Sequence, residues 1–190
     1  CFLLLLFVLF SEDTKQALRH NEGYLISQTC IDKSMINAEN ISYMSFDDTS
    51  FNGVIPSSEY QMHRMLYQNK NEVNSIIHAH PPFATSFALS NQSIDSRISS
   101  EMIRNLGDIA IAEYEKPGSI ELAEKVREAA KNSNAILMKN HGVVVLAESI
   151  QKAYYMIELL EQLAHMTYII KSIGKSKVLT ESQINLLIGV

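Results

Sequence analysis

At 190 residues the chain is sized for one domain, and 46% hydrophobic residues are enough to fill a core. A formal charge of −5 with no basic stripe argues against a nucleic-acid partner. Cys1 and Cys30 form no disulfide framework and suit a reducing, cytoplasmic compartment.

Residues 1–10 are an apolar run, too short to span a bilayer as a helix, which takes ~20 residues. No basic segment precedes the run and no small-residue cleavage site follows it. A truncated start, a buried strand or helix, and a membrane anchor all remain open readings, and 1–22 is set apart as an atypical N-terminal segment. Asn21-Glu22-Gly23 predicts a turn, followed by strands over 24–27 and 40–46 and a polar loop over 47–56. A helix is expected from Ser58, where Ser58-x-x-Gln61 reads as a capping box and Met62, Met65 and Leu66 form an apolar face. A strand over 73–80 ends at Pro81-Pro82, and a short helix follows over 83–89. Then come a strand over 108–112, a loop at 116–118, and a helix over 119–131 with Ser119 as its cap. Two strands, 135–138 and 143–146, flank the turn Asn140-His141-Gly142. A long amphipathic helix over 149–173 and a last one over 181–187, capped by Thr180, complete the chain. Tyr154, Tyr155 and Tyr168 on the long helix read as packing residues.

The strands around Asn140-His141-Gly142 are too close for a helical crossover, so they must pair antiparallel. That favours a mixed sheet with helices on both faces.

Three histidines and one glutamate carry the chemistry. His78 and His80 lie two apart in a strand-like run, and alternation points both imidazoles the same way. His141 sits in its turn between strands. Three neutral nitrogen ligands with room for substrate are the make-up of a catalytic zinc site. Glu59 is then either a carboxylate free to move protons or an ordinary first-turn residue. His63, four positions on, shares its helical face and either orients Glu59 or packs.

Three motifs, Pro56-Ser57-Ser58-Glu59-Tyr60, His78-Ala79-His80-Pro81-Pro82 and Lys139-Asn140-His141-Gly142-Val143, together resemble the class II aldolase/adducin family. The likeness runs from about Tyr24 to near the C-terminus. It implies an α/β fold over 23–190, a three-layer α/β/α sandwich with a mixed, mainly antiparallel central sheet. His78, His80 and His141 match the metal ligands, with one Zn2+ per chain, or Mn2+ or Co2+ in its place. Glu59 matches the catalytic glutamate.

Thr29, Ser57 and Ser58 match positions that bind the substrate phosphate; for Ser58 a cap is the alternative. The implied activity is cleavage of a phosphorylated ketose to dihydroxyacetone phosphate and an aldehyde through a metal-stabilised enediolate. Epimerisation at C4 of a pentulose phosphate, dehydration of a related sugar phosphate, and a non-catalytic adducin-like interaction module are the alternatives. The implied partners are a small sugar phosphate and further copies of the chain in a homotetramer, with no membrane. The chain departs from the family at Cys30, where relatives carry glycine. It also lacks a Gly-Asn-x-Ser loop in 1–23, a tyrosine within 98–102, and any tyrosine after Tyr168.

Overall fold

Strands that read as continuous apolar runs belong in the middle of a covered sheet. Among the described residues, β5 (Ser75–Ala79), β7 (Ala135–Met138) and β8 (Gly142–Ala147) are buried at every residue. A computed structural model describes residues 15–29, 37–47, 50–175 and 177–189. The apolar run 1–10 and Cys30 lie outside the described residues.

Around β5 and β8 stand β1 (Lys15–His20), β2 (Gly23–Ser27), β3 (Ile41–Ser45), β4 (Phe51–Asn52), β6 (Ile109–Ala112) and β7 (Ala135–Met138). They form an eight-stranded sheet in the order β4-β3-β2-β1-β5-β8-β7-β6. Every neighbouring pair is antiparallel except β6 and β7. Those two are joined through helix α4 (Ile120–Ala130), the crossover that a parallel pair requires. The tight β7–β8 connection gives the antiparallel hairpin that its length predicts, with Met138 opposite Gly142.

Alternation along the central strands sorts the core into two layers. Ile76, Ile136, Met138, Val144 and Leu146 pack with α1 (Tyr60–Asn69) and α4. Ile77, Ala79, Leu137, Val143 and Val145 pack with α2 (Pro82–Leu89), α3 (Ser100–Leu106) and α5 (Ile150–Ile173). The result is the three-layer α/β/α sandwich. Each fully buried aliphatic side chain in these layers contributes about 1.5–3 kcal/mol. A last helix, α6 (Glu181–Ile188), follows a Thr180 capping box. No helix among the described residues is long and apolar enough to cross a membrane.

The structure differs from the sequence-based expectations at four places. The sequence Lys-Gln-Ala-Leu-Arg-His shows no hydrophobic alternation, yet it forms β1 between β2 and β5. Ala17 supplies the buried contact, and Arg19 replaces a hydrophobe by lying over the Phe46 and Tyr67 rings. Its guanidinium donates to the carbonyls of Val73, Tyr67 and Lys70, which closes the end of α1. Helix α3 and the two-residue edge strand β4 were also not evident; α3 buries only Met102 and Leu106 from a polar segment.

The third difference is the start of α1. The helix begins at Tyr60 with Glu59 as its N-cap, and no side chain caps it. The Ser58 capping box does not form. Pro56 bridges to Gln28, and the Ser57 N–H donates to the Ser27 carbonyl, so this stretch extends the sheet and delays the helix. Finally, Tyr168 is 60% exposed and Tyr155 38% exposed, so neither is a core packing residue; Tyr154 packs against the core and donates to Glu158.

Candidate metal centre and the residues around it

The register of the sheet brings three strand ends together, the last residues of β5 and β7 and the first of β8. β5 pairs antiparallel with β8, and Ala79 faces Val143. The last residues of β5 therefore lie beside the first of β8 and the β7–β8 turn. His78 is in β5, His80 directly follows it, and His141 sits in the turn. Their ring centroids stand 4.7 Å (His78–His80), 4.9 Å (His78–His141) and 5.2 Å (His80–His141) apart.

The turn is held on three sides. Asn140 takes a left-handed conformation, φ 54°, which asparagine tolerates well among non-glycine residues. Its N–H donates to the Ala88 carbonyl at the end of α2, and the Lys139 N–H donates to Ala112 at the end of β6. The His141 N–H closes the turn on the Met138 carbonyl. Gly142 comes next because nothing larger fits. A Cβ there would stand 2.4 Å from Cδ2 of His80 and 2.8 Å from the Ala79 carbonyl oxygen.

The donor set fits a zinc ion. One nitrogen from each of the three imidazoles lies within 4.8 Å of the others. Nitrogens around tetrahedral zinc stand roughly 3.4 Å apart, so small ring rotations suffice. The Nδ1 of His78 lies 2.9 Å from the Val143 carbonyl oxygen. A carbonyl only accepts, so Nδ1 carries the proton and Nε2 keeps the lone pair a metal needs. His78 is fully buried, while His80 and His141 are partly open, which leaves a side for substrate.

Glu59 lies at the same end and on the same face of the sheet. Antiparallel pairing of β1 with both β2 and β5 sets the C-terminal end of β2 level with that of β5. Two strand spacings separate them, roughly 10 Å. Ser57 is tied to Ser27 at the end of β2, and α1 runs from there over the face to which Ile76, and by alternation His78, belongs. Glu59 is 2% exposed and its N–H donates to Oγ of Ser57 at 3.2 Å. His63, also buried, donates its N–H to the Glu59 carbonyl, so the two occupy one turn. The Tyr24 hydroxyl donates to the Tyr60 carbonyl at 2.8 Å and pins that turn to β2; burial raises its pKa far above the usual phenol value, so it stays a donor. Gly118 (φ 77°) closes over Ser58 from the loop before α4.

Thr29, Ser57 and Ser58 line one open cleft of about 380 Å³ together with Met44, Ile55 and Tyr60. Ser58 is exposed, whereas Ser57 is fully buried with its oxygen engaged by the Glu59 N–H. Three features of the site were not read from the sequence: the Val143 carbonyl, the Gly142 contact and the Tyr24 anchor. Only Gly142 left a trace, as a glycine directly after a candidate ligand.

Comparison with known proteins agrees with this geometry. Residues 14–168 match the family described as Class II Aldolase and Adducin N-terminal domain. An L-fuculose phosphate aldolase of Methanococcus maripaludis (strain C5) is 34% identical over 140 residues, covering 74% of this chain and 75% of that protein. The L-fuculose phosphate aldolase of Escherichia coli (strain K12) is 28% identical over 150 residues, covering 79% and 70%. A solved L-fuculose 1-phosphate aldolase superposes with a TM-score of 0.86 at 27% identity, covering 94% of this chain and 85% of that one. The fold, the histidine cluster and these similarities converge: the chain belongs to the class II aldolase and adducin family.

Proposed function

We propose that this protein is a zinc-dependent class II aldolase, cleaving a phosphorylated ketose to dihydroxyacetone phosphate and an aldehyde. The observation that carries the reading is the convergence of His78, His80 and His141, with the proton of His78 committed to a backbone carbonyl. An interaction module has no need of three aligned imidazoles at a partly open site. The named aldolases among its relatives support the substrate class.

When bound, the zinc supplies two positive charges that draw electron density from a substrate carbonyl. The remaining work falls to the chain. Glu59 carries its carboxylate on a helix start whose backbone is held twice, by the Glu59 N–H donating to the Ser57 hydroxyl oxygen and by the Tyr24 hydroxyl donating to the Tyr60 carbonyl. It takes the proton from the hydroxyl of the carbon that becomes the aldehyde. The carbon–carbon bond then breaks, its electron pair stays with the ketone half, and a proton returned to that carbon balances the step. The exposed Ser58 hydroxyl and Thr29 line the cleft that receives the phosphate, roughly two strand spacings from the imidazoles.

The test combines metal analysis with a substrate screen. We expect close to one zinc per chain and its loss in His78→Ala. Incubation with a panel of phosphorylated ketoses should release aldehyde. Inversion at C4 of a pentulose phosphate without aldehyde release would replace the aldolase assignment by an epimerase one. A purified parent protein free of metal would overturn both.

A further inference from the structure

Helix α2 begins in an unusual way. Its N-cap is Pro81 and its first residue is Pro82, so neither position offers a side-chain acceptor. The first free helical N–H groups belong to Phe83 and Ala84, and helix N-termini leave such donors to be satisfied from elsewhere. The acceptor comes from α5. Glu161 takes the Phe83 N–H on Oε1 at 2.9 Å and the Ala84 N–H on Oε2 at 2.8 Å. A full negative charge on two N–H groups at the positive end of a helix is a charge-assisted clamp.

The clamp sits three residues from a proposed zinc ligand. His80 joins directly to Pro81, and a residue before proline is confined to extended backbone. On its other side the His80 ring abuts Gly142 and lies nearly parallel to His141, at 29°. The Phe83 ring stacks on His165, centroids 4.0 Å apart and 17° from parallel, so α5 grips the same segment twice. Ile157, Leu160 and Ala164, flanking Glu161 on α5, are buried in the core, which makes the anchor rigid.

We propose that Glu161 is a positioning residue for the metal centre: its bidentate clamp fixes the exit of the chain from β5 and so sets the orientation of the His80 ring. The inference rests on reading the histidine trio as a zinc site. Outer groups that orient metal ligands typically change affinity 10- to 100-fold when removed.

The experiment measures zinc affinity of the purified full chain by competition with a chromophoric chelator. Variants are Glu161→Ala and, as a control for simple loss of packing, Leu163→Ala in the same helix. We expect Glu161→Ala to bind zinc roughly 10- to 100-fold more weakly, with Leu163→Ala destabilised yet binding as the parent does. Equal affinity in Glu161→Ala and parent would overturn the proposal, as would equal weakening in both variants. A parent that binds no zinc removes the metal reading alone. The clamp is then judged in the metal-free protein from the His80 and His141 ring-proton shifts and the exchange of the Phe83 and Ala84 amides. Changes confined to Glu161→Ala support positioning, and unchanged spectra overturn it.

Discussion

Replacing Gly142 by alanine puts one methyl group where the structure has no room. The added Cβ would stand 2.4 Å from Cδ2 and 2.8 Å from Nε2 of His80, and ordinary contact begins near 3.4 Å. The ring must therefore retreat by about 1 Å, because the second obstacle, the Ala79 carbonyl at 2.8 Å, is backbone and cannot yield cheaply. Metal–ligand distances tolerate only about 0.2 Å, so the shift is several times what a coordinated imidazole allows. Two effects follow. Overpacking costs about 1–3 kcal/mol, which for a chain of this size lowers Tm by roughly 2–4 °C per kcal/mol. Zinc affinity falls by at least the 10- to 100-fold seen when ligand orientation is lost. Calorimetry of the metal-free protein reads the first effect, and chelator competition reads the second. A Gly142→Ala protein that holds zinc as tightly as the parent would refute the argument that His80 is a ligand in its observed position.

Other perturbations separate the parts of the site. Glu59→Gln should retain the metal and lower kcat by roughly 10²- to 10⁴-fold; unchanged turnover would remove Glu59 from proton transfer. Tyr24→Phe deletes the hydroxyl that holds the Tyr60 carbonyl and should cost about 1 kcal/mol in urea unfolding, with a fall in kcat from a less fixed Glu59. Away from the site, hydrogen bonds from Arg97 lower the pKa of Asp95, so the ionised pair favours the folded state above the ordinary aspartate value, about 3.9, and that contribution disappears as pH falls through the lowered value. Asp95→Asn should then show a small stability loss at pH 7 that vanishes in acid; both side chains are more than a third exposed, at 50% for Arg97 and 39% for Asp95, so a large loss would contradict the structure.

The histidine trio was legible because its chemistry resides in residue type and local spacing. An imidazole in β5, a second one residue past its end and a third in a tight turn need only the strands to pair, and strands as apolar as β7 and β8 favour that pairing. The hairpin through Asn140 was legible for the same reason. What stayed hidden acts between distant segments. β1 has no apolar pattern because Arg19 meets its neighbours through aromatic faces and carbonyls. The start of α1 moved past Ser58 because residues 56–57 are captured by the end of β2, a tertiary bond that outweighs a local capping signal. Glu161 reaches a helix 78 positions away in the chain, beyond any local periodicity.

The pairing of β5 with β8 has a consequence for how the molecule matures. His78 and the Val143 carbonyl that fixes its tautomer are 65 positions apart. A growing chain must complete the second half of the sheet before the ligand set exists, so an ion captured there staples two remote segments. Closing so long a loop carries a substantial entropic penalty, and a ligand that recognises only the closed form shifts the unfolding equilibrium with its concentration. Under the proposed zinc assignment, the persistence of this fold should track the free zinc around it, rising as supply improves and fading under chelation.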